Sequence, residues 1–334
     1  MNKQYIIATL GSHSALQILK GAHDEGFKTL VIALNKQILF YKRFPFIDKI
    51  IGVNAFSEFP EIEKKLLDKN IIVIPHGSFV AYLGMEGNKK MTLPYFGNKK
   101  VLDFEFDRVK QGDWLKKAGI TTPKEYKNIN DVEFPVIIKS FGAAGGKGYF
   151  LVNNHKDLVE KIPSFAKASE GKKYIIQQYI VGVPLYIHYF YSPLTKTLEI
   201  LSMDRRYETN VDALGRIPFD VDPSYVVVGN SPLVLRESML PEAYEMGEKV
   251  VKKSRELINS QGLFGPFCLE TIITPDQKFY VIEISARIVA GTNLFIQGSP
   301  YSDLTYNEPM STGRRIAREI KIAIEENKLN LILD

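Results

Sequence analysis

Residues 134–152 read FPVIIKSFGAAGGKGYFLV. Two short apolar runs flank a glycine-rich stretch, with Lys139 at its entrance and Lys147 near its far end. A glycine loop beside a lysine suggests a phosphate. The order G-x-x-x-x-G-K-[ST] is absent, however, and the chain does not pass from a strand into a helix as a dinucleotide fingerprint must. The stretch predicts a loop set between two strands, and the rest of the sequence has to say what such a loop serves.

The chain has 334 residues, enough for roughly two or three packed units. Hydrophobic residues make up 45% and charged residues 24%, the balance of an ordinary soluble globular protein. The formal charge of +5, from 43 basic and 38 acidic residues, is mild, and the lysines are dispersed. That argues against nucleic-acid binding and suits a small anionic substrate. The single cysteine, Cys268, lies in GPFCLET and reads as a buried thiol rather than a nucleophile. The N-terminus has no signal-peptide pattern, and no stretch approaches the ~18 apolar residues of a membrane span. The expectation is a cytoplasmic protein with no membrane partner. A homo-oligomer is compatible with the sequence, which does not fix its order.

The first hundred residues alternate strand and helix patterns. YIIATL (5–10), TLVIAL (29–34), KIIGV (49–53) and IIVIPH (71–76) are short, β-branched and bounded by turns, which predicts buried parallel strands. Between the first two, Ala15, Leu16, Leu19, Ala22 and His23 fall on one helical face, and Gly26 ends the helix. FPEIEKKLLDKN predicts a second helix. MEGNKKMTLPYFGNKK reads as a linker, and DFEFDRVKQGDWLKKAGITTPKEY as a helix ending at Gly119 and followed by extended chain. Beyond it, KYIIQQYI, PLYIHYFY, KTLEILSMDRRYE, FCLETIIT and KFYVIEISARI predict antiparallel strands. PEAYEMGEKVVKKSRELINSQG and TGRRIAREIKIAIEENK predict helices.

A helix ending LKKAGITTP, then PVIIKS, a glycine loop, IIQQYIVG, CLET and VIEISARI, in this order and spacing, resembles the ATP-grasp superfamily over about residues 101–300. The first hundred residues resemble the α/β unit that precedes that fold. The resemblance implies a fold class of α/β and α+β: an open parallel α/β unit over 1–100, then two lobes over 101–180 and 181–334. It also answers the opening question, because ATP in that family lies between the lobes and the glycine loop is a hairpin that folds over its phosphates. Lys139 would set a point charge on a phosphate. Gly142, Gly145, Gly146 and Gly148 would let the backbone approach the phosphate oxygens, and Lys147 would reach the terminal phosphate on closure. Arg108, eleven residues before Gly119 where the family often has a lysine, would be a further phosphate ligand. A solvated helix arginine beside Asp107 is the plain alternative. The peptide groups of Tyr179 and Ile180 would read the adenine edge, with the Gln178 side chain assisting. Where the family commonly holds the ribose with an acidic residue, this chain has Gly182, Val183 and Pro184. Glu208, in MDRRYET, is the expected substitute, unless it serves only as a salt bridge.

Glu270 in CLET and Glu283 in VIEIS stand thirteen residues apart on two apolar strands joined by TPDQK. A carboxylate in such a strand is costly to bury unpaired. Paired across a hairpin, the two make a hard oxygen site for Mg²⁺, or Mn²⁺ in its place, completed by phosphate oxygens. The family pattern E-x-N-x-R becomes Glu283, Ser285 and Arg287 here. Ser285 still offers an oxygen, and Arg287 would stabilise charge on the phosphoryl group in transfer.

TLGSHSAL places Ser12, His13 and Ser14 before a helix, and VIPHGSFV repeats the design with His76, Gly77 and Ser78. Either loop alone reads as helix capping. Together, on one edge of a parallel sheet, they suggest one phosphate-bearing ligand held through His13 and Ser78. Asn230, in SYVVVGNSP, has donors and an acceptor suited to a carboxamide or base edge, or is a turn residue. With MDRRYETNVDALGRIP and VLRESMLPEAYEMGEKVV, these details resemble one ATP-grasp group, the archaeal formate-dependent ligases that make 5-formaminoimidazole-4-carboxamide ribonucleotide in purine biosynthesis. That resemblance implies formate, ATP and aminoimidazole carboxamide ribonucleotide (AICAR) as substrates and formyl phosphate as the intermediate, with no covalent attachment to the enzyme. Two other readings stay open here: an ATP-grasp ligase joining a larger acid to an amine, and a nucleotide-binding regulator without catalysis. A regulator could dispense with Glu270, Glu283 and Arg287, which this chain keeps.

Overall fold

The computed structural model describes residues 4–140, 149–168, 174–209 and 224–334. Four strands, β1 (Ile6–Leu10), β2 (Lys28–Leu34), β3 (Lys49–Val53) and β4 (Ile71–Val73), form a parallel sheet in the order β3-β2-β1-β4. In β1, β2 and β4 the apolar runs are continuous because both faces are covered, whereas β3, at the sheet edge, buries only Val53 and so departs from the expected buried strand. Ala8, Leu10, Leu30 and Ile32 enter one cluster, while Ile7 and Ile72 enter a second and Val31 and Ala33 a third. Strand order reverses between β1 and β4. The loops at their carboxyl ends, residues 11–14 and 75–78, therefore emerge side by side at the crevice where open α/β sheets bind ligands.

The first helix, Ala15–Asp24, buries Ala15, Leu19 and Ala22 as its periodicity predicts, but also Gln17, Ile18 and Gly21, whereas His23 is exposed. Its buried face is wider than an amphipathic stripe because the helix Thr312–Glu325, from the far end of the chain, packs upon it. The two approach through glycines. A Cβ on Gly21 would lie 2.2 Å from the backbone nitrogen of Arg314, and one on Gly313 would lie 2.3 Å from the carbonyl oxygen of Gln17. The Gln17 side chain accepts from the Gly313 N–H at 3.1 Å, and Glu25 takes Arg314 at 2.7 Å and Arg318 at 2.6 Å.

A second sheet is antiparallel: β5 (Glu125–Tyr126), β6 (Val136–Ser140), β7 (Tyr149–Val152) and β8 (Tyr174–Gln178), in the order β5-β8-β6-β7. The third is the largest and also antiparallel: β9 (Val183–Ser192), β10 (Thr197–Glu208), β11 (Val227–Pro232), β12 (Gly265–Ile273) and β13 (Phe279–Ser285), in the order β11-β10-β9-β12-β13. Among the described residues no helix is long and apolar enough to cross a membrane.

Three local expectations need correction. The single helix expected before Gly119 is two, Lys99–Phe106 and Arg108–Lys117. Asp107 between them is extended, and its carboxylate accepts from the N–H groups of Val109 and Lys110, a cap that apolar periodicity does not reveal. The linker-like stretch 85–100 begins inside the helix Phe79–Lys90 and continues as packed chain. Met91, Leu93, Tyr95 and Phe96 are buried, and Tyr95 exchanges backbone hydrogen bonds with Asp334 at 3.1 and 2.9 Å. Asn230 lies in a strand, β11, rather than in a turn.

The glycine contact predicts a stability difference. Gly21→Ala should destabilise the fold by about 1–3 kcal/mol in urea unfolding, because overpacking against backbone outweighs the helix-propensity gain of about 1 kcal/mol. Gly112→Ala, whose Cβ would meet Glu125 only at 3.7 Å, should leave stability unchanged or slightly raised. Equal stability of Gly21→Ala and wild type would contradict the packing account.

Candidate active site

In the register of the third sheet Glu270 on β12 stands directly opposite Glu283 on β13. Tyr186 on β9 is the partner of both Glu270 and Asp204, and Arg206 on β10 pairs with Asn230 on β11. Alternation along each strand thus sets Asn230, Asp204, Arg206, Tyr186, Glu270 and Glu283 on one face, a polar row across an otherwise apolar sheet. Glu270 is buried and receives a forked pair of hydrogen bonds from Arg206 at 2.7 and 3.1 Å. Ser285, which stands where the family pattern has Asn, donates to Glu270 at 3.3 Å. Glu283 keeps 35% of its side chain open, with Arg108 at 3.9 Å. Burial, and then repulsion from Glu270, raise the Glu283 carboxyl above its ordinary range, against the pull of Arg108 and Lys139.

Arg108 comes from the first turn of the helix Arg108–Lys117, which is docked on β13 by Gln111 donating to the Ile284 carbonyl at 3.0 Å. Lys139, the next-to-last residue of β6, is buried, and its ammonium donates to Gln177 at 2.8 Å. Burial, and then the nearby Arg108 charge, lower the Lys139 pKa to about 8. The Tyr149 hydroxyl accepts from Arg108, and the ring of Tyr149 lies 5.5 Å from the Lys139 ammonium. These groups line a cleft of about 350 Å³ between the two antiparallel sheets, together with Gln178, Tyr179, Ile180, Glu208, Glu270 and Glu283. That volume lies within the range of small-molecule sites. Lys147, Gly145 and Gly146 lie outside the described residues.

The structure refines the expected adenine edge. The Tyr179 N–H is already given to the Pro135 carbonyl at 3.1 Å, and the Gln178 side chain accepts from the Lys124 N–H at 3.3 Å. Among the described residues the Tyr179 carbonyl and the Ile180 N–H have no backbone partner, so the edge they offer is one acceptor and one donor. Gly182 has no room for an acid: a Cβ there would lie 2.3 Å from the Ile273 carbonyl oxygen. Glu208 lines the same cleft from β10, and its charge contributes to raising the Tyr179 pKa, after burial.

His13 and Ser78 do converge at the crevice of the parallel sheet. The buried His76 ties the loops together, donating from Nε2 to the Leu10 carbonyl at 2.9 Å and accepting the Ser78 N–H on Nδ1 at 3.2 Å. His13 stacks on His76 at 5.8 Å between ring centroids, with a left-handed backbone, φ 50°. Though part of its surface meets solvent, the protein packed around it, followed by the charges of Arg287 and its neighbours, lowers the His13 pKa to about 3. Ser12 is taken, its hydroxyl accepting from Tyr82 at 2.7 Å. Arg287 departs from its expected place. It is not among the residues lining the cleft around Glu283. It pairs with Glu105 at 2.8 Å and approaches Gly77, where a Cβ would lie 3.2 Å from its guanidinium carbon and 2.9 Å from His13 Nε2. Arg287 thus stands on the crevice side, beside Gly77 and His13.

Sequence reading missed Gln177, Tyr149, Arg206 and Glu105. Period-2 alternation through MDRRYE puts Arg206 on the face of Glu208 and was a usable signal. Nothing in the sequence ties Glu105 to Arg287.

Residues 156–334 match the family model described as "Domain of unknown function (DUF1297)", and residues 7–126 match "Protein of unknown function (DUF1246)". Residues 114–183 match "Carbamoyl-phosphate synthase L chain, ATP binding domain". The chain is 55% identical, over 98% of its length and 99% of the relative's, to a "5-formaminoimidazole-4-carboxamide-1-(beta)-D-ribofuranosyl 5'-monophosphate synthetase" of Pyrococcus horikoshii. It is similar to the crystal structure of an IMP biosynthesis protein PurP from Thermococcus kodakaraensis, with a TM-score of 0.81 and 34% identity over 98% of this chain and 100% of that one. An N5-carboxyaminoimidazole synthetase from Staphylococcus aureus, complexed with ADP, superposes with a TM-score of 0.65 over 89% of this chain and 74% of that one; at 17% identity it attests the fold alone.

Lys139 should titrate near pH 8 in the free protein, well below the ordinary lysine value of about 10.4. Its side-chain ¹³Cε resonance, assigned by its loss in Lys139→Arg, reads this directly. A midpoint above about 10 would contradict the burial and charge crowding described for the cleft.

Proposed function

The chain belongs to the family of 5-formaminoimidazole-4-carboxamide ribonucleotide synthetases, ligases of the ATP-grasp fold, and from that premise we propose that it joins formate to the amine of AICAR at the expense of ATP. One observation carries the reading. Three separate parts of the chain bring the cations of Arg108 and Lys139, the Tyr179–Ile180 edge and the Glu270–Glu283 pair into one cleft, and the segment that follows β13 carries Arg287 to the crevice of the parallel sheet.

Residues 1–100 hold the ribonucleotide, and residues 101–180 and 181–334 close on ATP. The Tyr179 carbonyl and Ile180 N–H take the adenine edge, Glu208 the ribose, and Arg108 and Lys139 the phosphates; Lys147 is assigned the terminal phosphate on sequence grounds. Glu270 and Glu283 would hold Mg²⁺. Two hard carboxylates facing one another suit an ion that takes one or two carboxylates and fills its remaining positions with phosphate and water. Among the described residues no third Asp, Glu, His or Cys joins them, which fits that pattern. Bound there, the ion would neutralise charge on the phosphates during transfer.

A formate oxygen attacks the γ-phosphorus and ADP leaves. The amine of AICAR then attacks the formyl carbon, the C–O bond to phosphate breaks, and the amine proton leaves to solvent. Each step has an outside nucleophile, consistent with a chain whose one cysteine is fully buried. Arg287, held by Glu105 beside Gly77, would steady the acyl phosphate on the side from which the amine arrives. ADP release that requires ATP, Mg²⁺, formate and AICAR together supports this reading. ADP release with a larger acid and not with formate would replace it.

Glu283→Gln and Glu270→Gln should each lower turnover by at least about 10²–10³, the scale of losing one transition-state contact, with the fold kept. Near-normal turnover of either variant at saturating Mg²⁺ would remove the metal assignment.

His13→Ala should raise the apparent constant for AICAR roughly ten- to a hundredfold, the worth of one hydrogen bond to a charged group, while the constants for ATP and formate barely move. An unchanged constant for AICAR would place that substrate elsewhere.

A further inference from the structure

Asp204 and His188 are the most deeply buried ionisable pair on the polar face of the third sheet among the described residues, at 1% and 2% side-chain exposure. The mechanism above uses neither. Asp204 accepts from His188 Nε2 at 2.6 Å on one carboxylate oxygen and from the Asn230 side-chain nitrogen at 2.6 Å on the other. The backbone of Gly291 closes over the carboxylate, since a Cβ there would lie 2.2 Å from Oδ1. His188 Nδ1 is buried without a partner among the described residues, so the ring proton belongs on Nε2, where it is donated to Asp204.

A carboxylate carries only lone pairs. Asn230 must therefore turn its NH₂ toward Asp204, because the flipped amide would set its oxygen against a buried carboxylate. With the NH₂ inward, the Asn230 carbonyl points away from Asp204. Asn230 is only half-buried, and its register partner Arg206 lines the cleft and grips Glu270. The segment that passes Asp204 at Gly291 continues to Asn293, whose side chain donates to the His13 carbonyl at 3.1 Å. Asn230 is thus linked through Arg206 to the carboxylate pair and through Asp204 and the Gly291–Asn293 segment to the His13 loop.

We propose that Asp204, anchored by His188, is a positioning residue that holds the Asn230 carbonyl outward as a hydrogen-bond acceptor for an N–H of the acceptor substrate. The inference rests on the functional reading above. A ligand with an exocyclic amine beside a carboxamide, as in AICAR, offers such N–H groups. An analogue bearing a carbonyl or carboxylate at that point would meet an oxygen and be refused, so the pair makes the acceptor site selective for the aminated substrate.

The test compares wild type, Asp204→Asn, Asn230→Asp and the double variant, reading KM for AICAR and KM for ATP separately. Asp204→Asn removes the obligation on Asn230 to face inward with nitrogen, and Asn230→Asp sets two carboxylates face to face. Each should raise KM for AICAR about tenfold or more with KM for ATP changed less than about twofold. In the double variant the residue at 204 again donates inward while the residue at 230 again presents an oxygen outward, and KM for AICAR should return to within about threefold of wild type. A purely structural role predicts that both constants move together. An Asp204→Asn enzyme with unchanged KM for AICAR, or a double variant no better than its worse parent, overturns the proposal. Should Asp204→Asn fail to fold, as judged by loss of ATP binding, Asn230→Asp at its half-buried position decides alone, and an unchanged KM for AICAR overturns the proposal. A wild-type protein inactive with AICAR overturns the functional reading and this inference with it, whereas an active wild type with unaffected variants overturns this inference only.

Discussion

Glu270 and Glu283 face one another across a hairpin of two largely apolar strands, and the arrangement of the cleft follows from that repulsion. Two carboxylates at cross-strand distance, about 5 Å apart at Cβ, cannot both be ionised and buried without cations at hand. The chain supplies them from three places: Arg206 from β10, Arg108 from a helix and Lys139 from β6. Because Lys139 belongs to the second sheet and the carboxylates to the third, meeting this electrostatic demand draws the two sheets together around the cleft.

The same row reaches the parallel sheet. Beyond β13 the chain carries Arg287 to Glu105 and Gly77, forms a bridge between Ile288 and His76, and passes Asp204 at Gly291. One segment of chain therefore touches the loops at the strand ends and the polar face that holds the carboxylates. On the proposed reading, this segment links the place where the acyl phosphate is made to the place where the amine is held.

The fold was legible in the sequence wherever one period or one residue type decides a structure. Short β-branched runs marked β1 to β4, and KIIGV coincides with β3. The thirteen-residue spacing of Glu270 and Glu283 with its TPDQK turn anticipated their direct pairing. Legibility failed where a side chain distant in sequence decided the matter. The face of the helix Ala15–Asp24 is set by a helix three hundred residues away, so periodicity alone misplaced His23 and missed Gln17. QQYI holds two adjacent glutamines with opposite orientations, and only the pairing of β6 with β8 tells which one meets Lys139. Arg287 sits four residues beyond Glu283 in a pattern that suggests a shared task, yet it pairs with Glu105 and stands beside Gly77 and His13.

The central claim is that the facing carboxylates hold the metal that bridges to the phosphates of ATP. A crystal structure of the protein with Mg²⁺ and a non-hydrolysable ATP analogue tests it most directly. The account predicts one ion about 2.0–2.1 Å from a carboxylate oxygen of Glu270 and of Glu283, with phosphate oxygens and water in its remaining positions and adenine against the Tyr179–Ile180 edge. A nucleotide bound outside the cleft, or a metal–phosphate cluster that leaves both carboxylates paired only with Arg206 and Arg108, would contradict it.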